Sequence, residues 1–348
     1  MTTTIAAEAR ISRRRHGEPR VWVWTAVCAA ALVVVVMVGC AFGPAQLPMA
    51  QTIRSLLGTP HGLTGVDATV LTQIRVPRVL LAAAVGAALA TSGAAYQTVF
   101  RNPLADPYLL GVAAGAGFGV TVAIALRAAQ TSPSLPLFAF VGAVVAVAVT
   151  LTLGGRLGHD PVSTVLAGVA VASFATALQT YLQQRNSNVL RPVYSWILGQ
   201  LTTVGWDSLR MVGGYIAVAV GALIALGRRM DALLLNDDEA VSLGVHPRRM
   251  RIMTIAAATL ATAAAVSVSG LIGFVGIVVP HVMRYLTGVA SMRLLPAIAL
   301  AGGAFLVVAD LGARTLLAPA EMPIGVITAF VGAPFFLLVL RTRTAGAR

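Results

Sequence analysis

Lysine is absent from this chain, and all 25 basic residues are arginine. A Schiff-base enzyme and a phosphate-binding loop each need a lysine side chain, so residue type alone excludes both kinds of site. The chain therefore cannot hydrolyse ATP by itself. Cysteine is also scarce. Cys28 and Cys40 would lie about 18 Å apart on one helix, which is too far for a disulfide, and two cysteines provide no metal framework.

Charged residues make up only 11% of the chain, whereas 57% of residues are hydrophobic and the mean hydropathy is +0.85. A soluble domain of 348 residues could not sustain these values, so the chain is integral to a membrane. The first apolar run, Val21 to Phe42, exceeds the ~7 to 15 residues of a signal-peptide core and is interpreted as a retained span. Arg13 to Arg15 could be taken for a twin-arginine address, but polar residues 16–20 separate them from the apolar run, which favours a cytoplasmic positive anchor.

The apolar runs predict an all-α, polytopic membrane protein with about ten transmembrane helices. The predicted spans lie near 21–42, 75–97, 109–128, 137–154, 162–183, 208–227, 252–270, 273–288, 294–313 and 323–340. They form a single transmembrane domain, 21–341, between cytoplasmic tails at 1–20 and 342–348. With the N-terminus in the cytoplasm, most arginines fall on the cytoplasmic side, as the positive-inside rule requires, and an even number of spans returns the C-terminus to the cytoplasm.

Glycine and alanine crowd the predicted helices, for example in GAALATSGAA (86–95) and AAGAGFG (113–119). Lipid tails give helices no hydrophobic reason to associate, so close approach of backbones through small residues must supply the contact. We expect a tightly packed bundle. Pro77, Pro280 and Pro334 interrupt or start helices, or are simply tolerated. The short segment LIGFVGIVVPHV has the character of a broken helix, and broken helices border a buried or water-filled path.

The longest polar insertion, residues 230–251, lies on the predicted cytoplasmic side. Asn236 can cap a helix whose third residue, Glu239, reaches back to the cap. Gly244 can end this helix in a left-handed conformation, and Pro247 can open the next one. Two short helices with a sharp corner are predicted within 236–250. The alternative is a solvated connection, but capping at both ends favours a rigid element that presents a surface to a partner.

Several ordered motifs between about residue 70 and the C-terminus carry a resemblance to a known family. They are IRVPR (74–78), GAALATSGAAYQ (86–97), RNPLADPYLLGV (101–112), LAGVAV (166–171), DDEAVSLG (237–244), GFVGIVVPHVMR (273–284), LLPAIALAGGAFLVVADLGAR (294–314) and EMPIGVITAFVGAPFF (321–336). The chain resembles the FecCD/vitamin B12-type permeases, the transmembrane subunits of type II ABC importers for iron-siderophore, haem or cobalamin.

The resemblance implies a homodimer of ten-helix subunits with the translocation path on its two-fold axis. Two cytoplasmic ATPase subunits would bind ATP and Mg, and a periplasmic or lipid-anchored binding protein would deliver the cargo. This chain would hold no cofactor or metal of its own, and no nucleic-acid partner is expected. The cell location implied is the bacterial cytoplasmic membrane.

Coupling and docking residues are carried over from the family motifs. The coupling residues are Asp237, Ala240, Leu243 and Gly244, on a helix whose small and apolar residues would fit a groove on the ATPase. The arginines implied to pair with acids of the binding protein are Arg75, Arg78 and Arg314, since arginine suits bidentate carboxylate contacts. Headgroup anchoring is an alternative for the first two. An intrahelical pair with Asp310 is the alternative for Arg314 and is compatible with docking.

The cytoplasmic gate of similar proteins matches Asn102 and Leu104 in one loop, and Asp160 and Pro161 in another. The sequence HDPVST departs from the hydroxyl-rich turn usual at the second position. An ordinary interhelical turn is the alternative for RNPLADP. His281 is expected to satisfy backbone groups beside Pro280.

Ferric siderophore is the expected cargo because it is the commonest cargo of similar proteins, with haem or cobalamin as alternatives. A proton-coupled secondary transporter would need an intramembrane acid on the pathway, and Asp310 is the one strong candidate. A membrane enzyme would need paired carboxylates, HExxH or a Ser/His constellation. The five histidines have no such spacing, so no catalytic residue is assigned.

Overall fold

The computed structural model describes residues 2–60, 62–126, 134–157, 161–201, 205–288 and 291–345, and over these ranges the chain is helical without strands. The helices are α1 (Thr2–Ala41), α2 (Met49–Leu56), α3 (Gly65–Val99), α4 (Val112–Ala125), α5 (Ser134–Leu157), α6 (Pro161–Arg185), α7 (Ser187–Ile197), α8 (Asp207–Met230), α9 (Asp237–Ser242), α10 (Pro247–Ser269), α11 (Val275–Thr287), α12 (Leu295–Thr315) and α13 (Ile324–Ala345). Short 3₁₀ turns occupy Asp231–Leu234 and Met292–Leu294.

The all-α membrane fold predicted from the sequence is confirmed. Among the described residues, seven helices are long and apolar enough to cross a membrane: α1, α3, α5, α6, α8, α10 and α12. Two shorter helices, α4 and α11, and the apolar part of α13, Ile324–Val339, bring the number in the described ranges to ten. Helix α3 begins at Gly65, ten residues before the predicted span, and includes a π-helical stretch over Val70–Arg75. Residues 2–20, which were predicted to be a tail before the first span, instead form the N-terminal part of α1.

Two predicted spans, 109–128 and 273–288, contain only half-helices. α4 and α11 have 14 and 13 residues, so each covers about 20 Å of a ~30 Å hydrocarbon core. Irregular segments 100–111 and 270–274 precede them. Backbone that is not helical survives at membrane depth only inside protein, because lipid offers no hydrogen-bond partners. The length of an apolar run alone does not distinguish these half-helices from full spans.

The two irregular segments meet inside the bundle. The Tyr108 hydroxyl donates to the carbonyl of Ile272 at 3.0 Å and accepts from the Ile272 N–H at 3.1 Å. On α3, the Gln97 amide donates to the carbonyl of Gly276 at 3.0 Å. Polar side chains thus replace the hydrogen bonds that the broken helices lack.

Helix α3 lies at the centre, with 78% of its apolar window buried, and packs against α12, α10, α8 and α11. The predicted role of small residues holds at its crossing with α12. A methyl group at Gly86 would lie 2.8 Å from Leu306 Cβ and would also collide with the Gly302 carbonyl. Neither neighbour is the flexible end of a side chain, so only hydrogen fits there. The outer helices α1, α6 and α8 remain largely exposed.

Replacing Gly86 with alanine should force α3 and α12 apart and destabilise the bundle by about 1–3 kcal/mol. Thermal unfolding of the purified chain in detergent measures the effect. Gly221→Ala on α8 is the matched control, because a methyl group there meets no atom within 4 Å. Equal melting temperatures for the two variants would contradict the close-approach interpretation.

Candidate functional site: a coupling segment, a buried ion cluster and a polar helix face

The insertion at 230–251 folds into the capped element that its sequence predicts. At the start of α9, the Glu239 carboxylate accepts a long hydrogen bond of 3.4 Å from the Asn236 N–H, which is one half of a capping box. Gly244 has φ +75° and ends the helix, as predicted. The second short helix predicted here is not separate: it is the first turn of α10, which Pro247 opens.

The four residues predicted to couple to the ATPase face different directions. Asp237 lies in the first turn of α9 with a half-exposed carboxylate, and Gly244 makes the turn. Ala240 is 1% exposed and packs into its own chain, so its side chain is not part of the outer surface. Leu243 is exposed, and so is its neighbour Val241, which the sequence analysis did not single out. Leu234 and Leu235, just before α9, are exposed as well, so the outward apolar surface of this segment is carried by these two residues together with Val241 and Leu243.

Arg101, at the end of α3, holds this segment to the loop 100–111. Its Nε donates to the Leu233 carbonyl at 2.8 Å, and its Nη2 donates to the Leu235 carbonyl and lies 3.3 Å from Asp237 Oδ1. Arg251 on α10 donates to the same carboxylate oxygen at 2.7 Å. The sequence analysis quoted the motif that contains Arg101 but assigned the residue no role. Its partners lie 132 to 136 positions away, so no local pattern reveals them.

The first predicted gate lies in the same loop. The Asn102 side-chain oxygen accepts from the Leu104 N–H at 2.9 Å and fixes a tight turn. Asp106 does the same for Tyr108 at 2.8 Å. Of the second predicted gate, Asp160 lies outside the described residues, and Pro161 is the first residue of α6.

The three predicted docking arginines are buried at the opposite end of the bundle. We call this the Arg78 end, and the end that contains Arg101 the Arg101 end. Arg78 Nε donates to Asp310 at 2.9 Å, and its two Nη atoms bind Glu321 in a fork at 2.9 and 3.0 Å. Arg314 Nε lies 2.9 Å from the other oxygen of Asp310, in ionic contact without hydrogen-bond geometry. The intrahelical pair considered for Arg314 is therefore present.

Arg75 completes this cluster without an acid. Its guanidinium donates to the carbonyls of Cys40, Ala41 and Ala45 beyond the end of α1. Arg75, Arg78 and Arg314 are only 3%, 8% and 3% exposed. Headgroup anchoring is thus ruled out for this conformation, since the side chains point into protein. Their docking role stays a prediction.

Helix α6 presents a polar stripe on its outer face. Ser173, Thr176, Thr180 and Gln184 are exposed and line an open groove with Ala172, Ala177 and Tyr181. Residues three and four positions apart share one helix face, so the stripe is continuous. Hydrogen-bonding side chains are costly against hydrocarbon, and this face therefore calls for water or a protein neighbour.

Substitutions at the two acids of the ion cluster should differ sharply. Asp310→Asn leaves Arg78 and Arg314 buried beside each other with less compensation, which should destabilise the chain by about 3–5 kcal/mol. Glu321 has a side chain 38% exposed, so Glu321→Gln should cost about 1 kcal/mol or less. Thermal unfolding of both variants in detergent measures this difference. Similar losses from the two would show that burial does not set the energy of the cluster.

Comparison with known proteins agrees with the resemblance seen in the sequence. The FecCD transport family matches residues 31–342. The cobalamin import system permease protein BtuC of Halobacterium salinarum is 38% identical over 310 residues, covering 87% of this chain and 78% of that protein. The hemin transport system permease protein HmuU of Yersinia pestis is 39% identical over 281 residues, covering 78% of this chain and 83% of that protein.

A solved structure gives the same answer for the fold. The inward-facing conformation of a metal-chelate type ABC transporter superposes with a TM-score of 0.80 at 30% identity, covering 91% of this chain and 98% of the other. Sequence motifs, helix order and fold thus point to one family. The chain is a multi-pass membrane permease and belongs to the FecCD transport family.

Proposed function

We propose that this chain is the membrane-spanning subunit of an ATP-driven importer for a ferric siderophore. It would act as two copies with two ATPase subunits, which bind ATP and Mg, and an extracytoplasmic binding protein. The observation that carries the proposal is the capped segment at the Arg101 end. This segment exposes Val241 and Leu243 and is bonded, through Arg101, to the loop that contains Asn102 and Leu104.

Residues 231–244, which we call the coupling segment, have the properties of a docking element for an ATPase partner. The segment is short, held at its start by the Glu239 contact and at its end by Gly244, so little entropy is lost when a partner binds. Its exposed residues include Val241 and Leu243 beside the acids of the first turn of α9, and exposed apolar side chains gain free energy when a groove covers them. A chain without lysine has no phosphate-binding loop of its own, so the ATPase must be a separate subunit.

The Arg101 end is assigned to the cytoplasm. Arg228, Arg229, Arg248 and Arg249 are exposed there, at the ends of α8 and α10, and the positive-inside rule favours the cytoplasmic side for such a cluster. Because the ten helices alternate in direction, the C-terminus lies on the same side as the N-terminus. The Arg78 end then faces outward, towards a binding protein.

The stripe on α6 supports a path at an interface between two copies. Its exposed hydroxyl and amide groups would be costly in lipid but suit a water-containing passage between subunits. They also bear on the cargo. A siderophore chelate presents many hydrogen-bonding oxygens, whereas haem presents a broad apolar ring, and α6 offers Ser173, Thr176 and Thr180 along one face. This match favours the ferric siderophore over haem. Cobalamin carries amide groups that suit the same stripe, so the stripe does not separate it from a siderophore, and haem and cobalamin remain the alternatives.

The geometry of Asp310 argues against a proton-driven mechanism. The carboxylate is fully buried and lies against two arginines at the Arg78 end, not along the α6 stripe. A proton carrier needs access to water on each side in turn, and this acid has no open face in the structure.

Transport by the reconstituted complex tests the proposal. The chain, its ATPase and its binding protein are placed in liposomes, and uptake of radiolabelled ferric siderophore, haem and cobalamin is measured with ATP and with a non-hydrolysable analogue. We expect ATP-dependent uptake of ferric siderophore that survives collapse of the proton gradient. Uptake of haem or cobalamin alone would overturn the cargo assignment, and uptake that follows the proton gradient without ATP would overturn the importer assignment.

Docking of the binding protein is proposed at the Arg78 end. In this conformation the predicted residues Arg75, Arg78 and Arg314 are enclosed, so they would reach an acidic partner only after their present contacts are broken. Arg54, Arg185 and Arg191 are exposed at the same end. Exposed arginines suit carboxylates of a partner and mainly set encounter rate and register.

Reversing two exposed charges, Arg185→Glu with Arg191→Glu, should slow association of the binding protein about tenfold at low ionic strength, with a smaller effect at high salt. Surface plasmon resonance on the permease in nanodiscs measures the rates, and Arg228→Glu at the opposite end is the control. Unchanged association of the double variant, together with lost binding by a folded Arg314→Gln variant, would move docking to the buried cluster.

A further inference from the structure

Arg101 connects two segments to which the proposed function gives different tasks. One is the coupling segment, 231–244, and the other is the loop 100–111. We propose that Arg101 is a positioning residue that transmits displacement of the coupling segment to this loop. The inference rests on the proposed function for its purpose, but the connection itself rests on contacts within the chain.

The guanidinium of Arg101 contacts the coupling segment at three successive points. It donates to the carbonyls of Leu233 and Leu235 and approaches the Asp237 carboxylate. Arginine has five N–H donors in a fixed planar fork, so three acceptors hold it in one orientation. The carboxylate is shared with Arg251 on α10, so the same point is also fixed to the bundle.

The backbone at Arg101 directs the side chain towards this segment. Its φ is +48°, a left-handed value that a residue with a Cβ adopts at some cost. Glycine or asparagine would fit that backbone more easily. Arg101 makes three long-range contacts despite this strained backbone. The contacts of its side chain, rather than the shape of the turn, therefore explain why arginine occupies this position.

Motion delivered to residue 101 would pass along a stiff loop. The N–H of Asn102 donates to the Gln97 carbonyl at 3.1 Å, and its side chain fixes the turn to Leu104. Further along, Tyr108 is bonded twice to Ile272. A pull on Arg101 therefore reaches the segment that starts half-helix α11.

The connection is also weak enough to change during a transport cycle. The side chains of Arg101 and Asp237 are 40% and 55% exposed, and ion pairs of this kind add little stability in water. An alternative is that Arg101 only keeps the coupling segment folded. The two roles differ in their effect on coupling, because a folding role alters assembly with the ATPase, whereas a transmitting role alters transport per ATP.

The central test replaces Arg101 with asparagine, which tolerates the left-handed backbone but removes the guanidinium, and with lysine, which keeps the charge but loses the fork. In the reconstituted complex, cargo uptake per ATP hydrolysed should fall about tenfold for Arg101→Asn, with an intermediate loss for Arg101→Lys. Association with the ATPase should be unchanged. Arg228→Gln, an exposed arginine at the same end, is the matched control and should behave as wild type.

Uptake per ATP equal to wild type in Arg101→Asn would overturn the proposal, and so would loss of the ATPase subunit from that variant. A wild-type chain that neither binds an ATPase nor transports would instead overturn the proposed function. Hydrogen exchange measured on the chain alone tests the connection between the two segments without the ATPase or the cargo. Arg101→Asn should speed exchange in both 100–111 and 231–245, and a change confined to 231–245 would contradict transmission to the loop.

Discussion

The absence of hydrogen-bond partners in hydrocarbon is the constraint on which the architecture depends. Ten helices satisfy most of their own backbone groups, but α4 and α11 begin inside the bundle, and the segments before them need other partners. The structure supplies these partners from side chains that sit deep in the protein. The Tyr108 hydroxyl both donates to and accepts from the backbone of Ile272, and the Gln97 amide on α3 donates to the Gly276 carbonyl. The breaks are possible because α3 and the loop 100–111 carry polar groups at the right depth.

Close packing is the second consequence of the same constraint. Since lipid tails give no hydrophobic drive for helix association, contact must come from shape, and shape is provided by pairs such as Gly86 with Gly302. Such a core resists gradual deformation. Displacement would then move the helices as units, joined through the loop 100–111 and the segment 270–274, which are themselves held by side-chain hydrogen bonds.

Features determined by neighbouring residues could be predicted from the sequence, whereas features determined by distant ones could not. The apolar runs, the Glu239 contact at the start of α9, the left-handed Gly244 and the proline at the start of α10 all follow from local chemistry, and each is present. The burial of Arg75 does not follow, because it depends on carbonyls 30 to 35 positions away. The broken character of the segment that leads into α11 was predicted from its glycines and Pro280, but the late start of α4 was not, for a similar reason. An apolar run of the right length looks the same whether it starts at the surface or within the bundle.

The two ends of the molecule use arginine in opposite ways. At the Arg78 end, Asp310 and Glu321 enclose Arg78 with little access to water, so rearranging these contacts would expose or strand buried charge at a cost of several kcal/mol. At the Arg101 end, Asp237 is shared between Arg101 and Arg251 in contact with solvent, where water replaces a lost contact cheaply. The buried cluster therefore suits a fixed point, and the solvated connection suits a moving one. A displacement applied at the Arg101 end would pass along the loop 100–111, while the helices joined at the Arg78 end would keep their relative positions.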